Sequence, residues 1–146
     1  VPLKGDYSRR DMLRSARFHG IADFRFPSKF PIPTQAAARM VLWAKRNDPS
    51  HTGKVVHALY RAFFAEDRDI SDPDIAADAA ARAGVDRATI RAAVDDPAMK
   101  DALKQECEAA IAAGVFGSPF IVVDGEPFWG LDRFDQVERW LATGGF

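Results

Sequence analysis

The residue types and spacings that could do chemistry lie mainly near the C-terminal end of the chain. Ser118-Pro119 comes directly before an apolar run that reads as a strand. A cis bond before that proline would turn the N–H and C=O of Ser118 outward, where they could pair with an extended, peptide-like ligand. A trans proline that simply begins a strand is the alternative, and trans is the commoner form. The sequence therefore marks Ser118-Pro119 as a candidate ligand-pairing site.

Three charged residues add to this candidate site. Asp132 is a good helix N-cap, and it could also accept a hydrogen bond from the ammonium group of a ligand. Arg133 and the N-terminus of the following helix could bind a nearby carboxylate. Lys4 reads as an exposed lysine or as the partner of a second carboxylate. This set of charges fits a ligand with both ammonium and carboxylate groups.

Other catalytic patterns are missing from the sequence. The chain has one cysteine, Cys107, so it has neither an intrachain disulfide nor a Cys-x-x-Cys redox pair. Leu103, Cys107 and Ile111 share one helix face, which predicts that Cys107 is a small buried apolar residue. The three histidines show no metal-ligand spacing, and the acidic stretch 66–74 does not match a calcium loop. We therefore expect no metal site.

Composition indicates one soluble domain. The 146 residues carry a formal net charge of −1 and are 47% hydrophobic, which is typical of a globular domain and gives no reason to expect nucleic acid or an anionic membrane. No apolar run is long enough to span a bilayer, and no signal peptide is evident. The start at Val1 suggests a fragment or a processed chain, and a cytoplasmic location is the default expectation.

A β-hairpin is the best-defined local structure in the sequence. Asp124-Gly125 separates two apolar runs, which is a strong signal for a two-residue hairpin loop. Both faces of this hairpin are apolar, so we expect helices on each side of its sheet. The loop length fixes the register, which pairs Val123 with Glu126, Val122 with Pro127, Ile121 with Phe128 and Phe120 with Trp129.

Pro127 predicts where this hairpin lies in its sheet. Its nitrogen carries no hydrogen, so the strand that contains it should be an edge strand. The strand from Pro119 to Val123 then needs another partner, because an isolated hairpin is marginally stable. No other segment reads as a strand. We therefore infer that part of the sheet is missing from this sequence or comes from another chain.

The remainder of the chain reads as helices joined by short loops. Residues 1–6 are predicted to be a loop, and 21–33 an extended aromatic loop that either lines an apolar ligand cavity or covers the core. Arg10, Arg14 and Arg17 form a basic stripe beside Lys4, read as a solvated face or, less simply, as an anion-binding wall. Helices are expected at about 7–18, 34–45, 50–64, 72–83, 86–94, 97–113 and after 132, with Thr34, Ser50, Asp72, Asp86 and Asp96 at their starts.

Several motifs resemble the 2-hydroxychromene-2-carboxylate isomerases, which are relatives of DsbA and of the kappa-class glutathione transferases. The resemblance covers essentially the whole chain and is most specific at the hairpin. The C-terminal motifs are Ala113-Gly114-Val115-Phe116-Gly117-Ser118-Pro119, Asp124-Gly125-Glu126 and Phe128-Trp129-Gly130-Leu131-Asp132-Arg133. The earlier motifs are Pro2-Leu3-Lys4-Gly5-Asp6-Tyr7, Arg10-Asp11, Phe26-Pro27 before Phe30, and the stretch from Glu66 to Pro73.

The resemblance implies an α/β, thioredoxin-like (DsbA-like) fold with a large all-helical insertion. Residues 1–113 would be the mainly helical insertion and its flanks. Residues 114–146 would be the C-terminal part of the thioredoxin-like domain, with the hairpin and one helix. This chain would therefore be mostly helical, and a homodimer is compatible with the family.

The resemblance also implies the ligand. It implies bound glutathione, with the Ser118 backbone pairing with the cysteinyl part beside a cis Pro119. Asp132 matches the residue that holds the γ-glutamyl end, with Arg133 next to it, and Lys4 matches a lysine that meets the glycine carboxylate. The implied activity is glutathione-dependent cis–trans isomerisation of a small aromatic substrate, or a related glutathione transfer.

Two departures from the family pattern bear on this expectation. The family's thiol-activating serine or threonine follows its first strand, so its counterpart is expected upstream of Val1. Ser118 stands where the family usually has Val or Leu, and Leu131 where many members have a polar residue. Two alternatives stay open: a DsbA-like thiol–disulfide oxidoreductase whose cysteines lie upstream, and a non-catalytic module that binds peptides or thiols.

Overall fold

The computed structural model describes residues 2–146, with side chains from Lys4 onward. These residues are mostly helical, at 62%, with one two-stranded sheet. They fall into two compact units, Val1–Lys104 (the helical unit) and Gln105–Phe146 (the hairpin unit). The elements are α1 (Pro2–Phe18), α2 (Gln35–Asn47), α3 (Pro49–Phe64), α4 (Pro73–Ala81), α5 (Arg87–Ala92), α6 (Pro97–Ala112), β1 (Phe120–Val123), β2 (Glu126–Trp129), a 3-10 turn (Leu131–Arg133) and α7 (Phe134–Thr143).

The core of the helical unit forms where α2, α3, α4 and α5 pack together. Met40, Val55 and Ile90 are fully buried there, and alanines of α4 fill the spaces between them. Small residues let the helix backbones approach closely, while the three large side chains fill the space at the centre. The α3 helix contributes Val55, Leu59 and Phe63 to this core, although Tyr60 on the same helix is 59% exposed.

The first helix begins earlier than the sequence suggested. Residues 1–6 were expected to form a loop, but α1 begins at Pro2, and Val1 lies outside the described residues. Proline is tolerated in the first turn of a helix because the N–H that it lacks has no partner there. Gly5 costs the helix only about 1 kcal/mol relative to alanine. The helix therefore includes Pro2 and Gly5, although proline and glycine usually interrupt helices.

Several helix starts follow the predicted capping chemistry, but Thr34 lies at the N-cap position of α2 without a capping hydrogen bond from its side chain. The Asp72 carboxylate accepts hydrogen bonds from the N–H groups of Asp74 and Ile75, at 2.8 and 3.3 Å. Asp86 accepts from the N–H of Thr89 at 2.8 Å. Ser50 was expected to cap α3, which is wrong, because Pro49 already lies in the helix and Asp48 is at the N-cap position.

Removing the Asp72 cap should destabilise the helical unit. Asp72→Ala leaves two N–H groups at the start of α4 without their acceptor, so we expect a loss of about 1 kcal/mol in the free energy of unfolding. Urea unfolding followed by far-UV circular dichroism measures this loss. Asp72→Asn is the matched control, because asparagine caps as well as aspartate, and an equal loss in both variants would contradict the capping role.

An ion pair ties the aromatic loop, residues 21–33, to the start of α4. Lys29 Nζ lies 2.7 Å from Asp69 Oδ2, and the N–H of Ser71 donates to Asp69 Oδ1 at 3.0 Å. The Lys29 hydrogen bond, followed by those from Ser71, lowers the pKa of Asp69 to about 2 from its usual 3.8. The loop is thus held by a carboxylate that stays ionised well into acid.

Acid should weaken this tether in a defined pH window. Because the pKa of Asp69 is lower in the folded chain than in the unfolded chain, its stabilising effect is complete above about pH 4 and is lost as the pH falls towards about 2. Unfolding free energies measured between pH 5 and pH 2 should therefore fall more steeply for the native sequence than for Asp69→Asn. If the unfolding free energies of the two proteins change with pH in parallel, the Lys29–Asp69 ion pair does not stabilise the fold.

The hairpin in the second unit forms as predicted. β1 and β2 pair antiparallel, and the register joins Phe120 to Trp129, Ile121 to Phe128, Val122 to Pro127 and Val123 to Glu126. The loop residues Asp124 and Gly125 both have positive φ, at 53° and 85°, as a type I′ turn requires. The two turn residues were therefore sufficient to predict the register of this hairpin.

The sheet has no third strand among the described residues 2–146, where only β1 and β2 pair. Within the hairpin unit, α7 covers one face, with the rings of Phe128 and Trp140 at 5.7 Å between centroids. The opposite face carries the ring of Phe116, 5.1 Å from that of Trp129, instead of a helix. The expectation of helices on both faces is thus met on one face only within this unit.

Cys107 on α6 is exposed, which overturns the expectation that it is buried. Leu103 on the same face is half-buried, while Ile111 is 74% exposed. Four-residue spacing predicts that these side chains share one face of the helix. It does not predict whether another element packs against that face. Among the described residues, nothing covers Cys107 or Ile111.

Candidate functional site

The backbone at Ser118-Pro119 is open to a ligand. The peptide bond between the two residues is cis. The carbonyl oxygen of Pro119 accepts a hydrogen bond from the N–H of Gly130 at 3.0 Å. The neighbouring Ser118 is exposed, and its N–H and C=O form no hydrogen bond with any described residue. An unpaired donor and acceptor on one exposed residue can pair with one residue of an extended peptide.

Gly117, just before this residue, lets an indole ring pack closely on the backbone. A Cβ atom at position 117 would lie 2.3 Å from Trp129 Nε1 and 2.9 Å from Trp129 Cε2. Phe116 contacts the same indole and also the ring of Phe120, at 5.3 Å between centroids. The segment before Ser118 is thus held against β2 by aromatic packing that requires glycine at position 117.

Gly117→Ala should displace the Trp129 indole. The added methyl group cannot occupy the same space as the ring, so we expect a cost of about 1–2 kcal/mol in unfolding free energy and a shift of the Trp129 indole N–H resonance in NMR spectra. Gly125→Ala serves as a contrast, because its positive φ of 85° strains the turn while nothing lies near the added Cβ. An unchanged Trp129 resonance in Gly117→Ala would contradict the packing described.

Asp132 lies next to the same backbone segment and is not a helix cap. It was expected either to cap the last helix or to bind a ligand, but it sits within the 3-10 turn, and Arg133 takes the N-cap position of α7. Its Oδ1 would lie 2.5 Å from a Cβ built on Gly130, so the carboxylate folds back over the glycine that is hydrogen-bonded to Pro119. The capping interpretation is therefore wrong, and an exposed carboxylate remains.

The start of the turn also offers backbone donors. The N–H groups of Leu131 and Asp132 have no acceptor among the described residues, while that of Arg133 donates to Gly130 O at 3.2 Å. The Arg133 Nη2 lies 3.6 Å from Asp132 Oδ2. A carboxylate side chain, free N–H groups and a guanidinium therefore lie within three consecutive residues. Such a set can bind an ammonium and a carboxylate that share one carbon atom.

Lys4, the fifth predicted site residue, lies in the helical unit on α1 and is exposed. It lines a cavity of about 550 Å³ together with Arg9, Met12, Phe26 and Phe30. Ser118, Pro119, Asp132 and Arg133 all belong to the hairpin unit. The structure thus brings four of the five predicted residues together in one unit.

Sequence reasoning missed Arg9, whose guanidinium carbon lies 4.5 Å from the centre of the Phe26 ring. Arg10, Arg14 and Arg17 were singled out at helical spacing, but Arg14 pairs with Asp11 one turn away. Nothing in the periodicity distinguishes Arg9, because its contact is with a loop residue seventeen positions later. The aromatic loop contributes Phe30, Pro31 and Ile32 to the wall of an apolar cavity, and Ile32 also packs against the core, so the loop has features of both predicted roles.

Two kinds of feature are absent from the described part of the chain. No group of three or more histidine, cysteine or acidic side chains there could hold a metal ion. No helix among these residues has the length and apolar character needed to cross a membrane.

Curated relatives share most of this chain's length. It is 27% identical over 159 residues to glutathione S-transferase kappa 1 of Homo sapiens, with 97% of this chain and 70% of the relative covered. It is 29% identical over 116 residues to 2-hydroxychromene-2-carboxylate isomerase of Sphingobium xenophagum, with 80% and 57% covered. It is also 27% identical over 154 residues to glutathione S-transferase kappa 2 of Caenorhabditis elegans, with 97% and 68% covered.

The fold comparison agrees with the sequence comparisons. The chain superposes on the solved structure of a 2-hydroxychromene-2-carboxylate isomerase with a TM-score of 0.81 at 22% identity, over 96% of this chain and 66% of that one. It thus spans about two thirds of the length of that protein. The predicted thioredoxin-like fold with a helical insertion is confirmed. The family model for the DSBA-like thioredoxin domain matches residues 1–142, and the chain therefore belongs to that family.

Proposed function

We propose that this chain binds glutathione and contributes to a glutathione-dependent isomerase of the 2-hydroxychromene-2-carboxylate type, or to a related kappa-class glutathione transferase. The observation that carries the proposal is the unpaired backbone of Ser118 beside the exposed carboxylate of Asp132. The names of the curated relatives add weight to this choice of ligand and reaction.

The chemistry of glutathione matches these groups one by one. Its cysteinyl residue has a backbone N–H and C=O that can pair with those of Ser118 in the manner of an added strand. Its γ-glutamyl ammonium suits the Asp132 carboxylate, and the adjacent carboxylate suits the free N–H groups at the turn and Arg133. Lys4, which lies in the helical unit, stays a prediction for the glycine carboxylate. The side chain of Ser118 is not needed, so a serine serves as well as an apolar residue.

The reaction follows from the nucleophilicity of a thiolate. The sulfur of glutathione adds to a conjugated carbon–carbon double bond of the aromatic substrate, and the electron pair moves onto the neighbouring carbonyl oxygen. The former double bond is then a single bond and can rotate. Expulsion of the thiolate restores the double bond in the other geometry, with no net oxidation and with glutathione regenerated. The residues named above bind and orient glutathione for this addition.

Calorimetry and NMR on the intact protein test the proposal. Reduced glutathione should bind with a stoichiometry of one per chain, and the backbone amide resonances of Ser118 and Asp132 should shift on saturation. Cysteinylglycine, which lacks the γ-glutamyl group, should bind at least tenfold more weakly, because the interactions at Asp132 and Arg133 are then lost.

Two experimental outcomes would change or reject the proposed function. Equal affinity for glutathione and for γ-glutamyl-alanyl-glycine, with no turnover of an aromatic 2-oxo acid, would support a non-catalytic peptide-binding module. Absence of saturable glutathione binding by the folded protein would overturn the proposal. Ser118→Ala is the control, since it removes a hydroxyl and leaves the pairing backbone, and it should change the affinity less than twofold.

A further inference from the structure

The helical unit contains two neighbouring cavities, of which the second has charged lining residues and the first has none. The first, called here the apolar cavity, has a volume of about 560 Å³ and is lined by α2, α3 and the aromatic loop. The second, the cationic cavity, has a volume of about 550 Å³ and is lined by Lys4 and Arg9 of α1. Both volumes fall within the range of about 300–1,000 Å³ typical of small-molecule sites.

The apolar cavity exists because α2 presents small side chains at its wall. Ala37 and Ala38 line it from α2, Leu59 and Phe63 line it from α3, and the short alanine side chains leave space that larger residues would fill. Thr34 and Tyr60 bring the only side-chain hydroxyl groups among the described residues that line it. Such a wall suits a hydrocarbon chain and offers no partner for a charge.

The cationic cavity has a guanidinium without an acidic partner. Arg9 is held over the ring of Phe26, and no ion pair joins it to any described carboxylate. Lys4 and Arg9 together outnumber the one acidic lining residue, Asp6. Arg9, fixed against an aromatic ring and without an acidic partner, is therefore the cation in this cavity that suits an anionic ligand.

Phe30 and Pro31 line both cavities, so the two share a wall. The Phe30 ring lies 5.2 Å from that of Phe26 and 6.4 Å from that of Phe63, which belong to the cationic and the apolar cavity respectively. Half of its surface is exposed. A ligand that lies along the exposed side of this ring could therefore contact both cavities.

We propose that the helical unit binds an elongated amphiphilic anion of the medium-chain fatty acid type. Its hydrocarbon chain lies in the apolar cavity, and its anionic group binds Arg9 in the cationic cavity. This site lies within the helical unit and uses Arg9, without Lys4 and without any residue of the hairpin unit. Experiments can therefore reject the proposed glutathione function and still support this site. They can equally support that function and reject this site.

Calorimetry with decanoate below its micellar concentration tests the site on the intact protein. We expect saturable binding of one decanoate per chain, and roughly tenfold weaker binding of decan-1-ol, which has a similar chain and no charge. Arg9→Gln should reduce the affinity for decanoate roughly tenfold and leave that for decan-1-ol unchanged. Arg10→Gln is the matched control, because Arg10 is the exposed neighbour on α1 and does not line either cavity.

A second variant tests the position of the chain. Ala38→Phe places a ring in the apolar cavity and should abolish the binding of both ligands, while Ala38→Leu, a smaller change, should weaken both. Far-UV circular dichroism checks that each variant is folded. Equal decanoate affinity in the native protein and in Arg9→Gln would overturn the proposal. So would binding to phosphatidylglycerol vesicles in the absence of any saturable binding of monomeric decanoate.

Discussion

Replacing Asp132 by asparagine is expected to weaken glutathione binding roughly tenfold to a hundredfold. The variant keeps the shape of the side chain but removes the charge proposed to bind the γ-glutamyl ammonium, and hydrogen bonds to charged groups contribute about 1.5–3 kcal/mol. The carboxylate is 75% exposed and makes no capping bond, so its loss should not disturb α7. Isothermal titration calorimetry with reduced glutathione measures the change.

Asp135→Asn provides the matched control for this prediction. Asp135 is also an exposed carboxylate at the start of α7, in its first turn. A general effect of charge at the helix terminus would therefore appear in both variants, whereas a direct contact would appear at Asp132 alone. Butyryl-cysteinylglycine, which keeps the aliphatic part of the γ-glutamyl group but lacks its ammonium and its carboxylate, should bind Asp132→Asn and the native protein equally well. A persistent difference with that ligand would contradict the assigned contact.

Replacing Met40 by alanine should destabilise the helical unit by about 2–5 kcal/mol. Met40 has no exposed surface and lies in the cluster formed by α2, α3, α4 and α5. Its removal takes away contacts that the surrounding helices cannot replace, because much of their packing already rests on alanine side chains that have no length to extend. The free energy of unfolding in urea, followed by far-UV circular dichroism, is the measurement.

Met40→Leu separates the loss of volume from other effects of substitution. Leucine has nearly the same volume and should cost less than about 1.5 kcal/mol. Since Met40 lies in the helical unit and glutathione is assigned largely to the hairpin unit, the affinity of folded Met40→Leu for glutathione should stay unchanged. Similar destabilisation in both variants would mean that the shape of methionine, and not the space it fills, is what the core requires.

The site could be predicted in part because its residues follow one another in the chain. Ser118, Pro119, Asp132 and Arg133 flank a single hairpin, so the register of that hairpin brings them together. Arg9 and the two cavities were not predictable in the same way. They arise from contacts between α1, the aromatic loop and α3, and such contacts leave no periodic signal in the sequence.

The sequence by itself determined the hairpin, its register and most of the helix starts. Each of these depends on residues within about four positions, such as the positive φ of Asp124 and Gly125 or the Asp72 carboxylate at the start of α4. Only the tertiary structure decided where α1 begins, that Cys107 is exposed, and that Asp132 is an open carboxylate. These depend on which elements cover a residue or extend past it, and burial is set by distant parts of the chain.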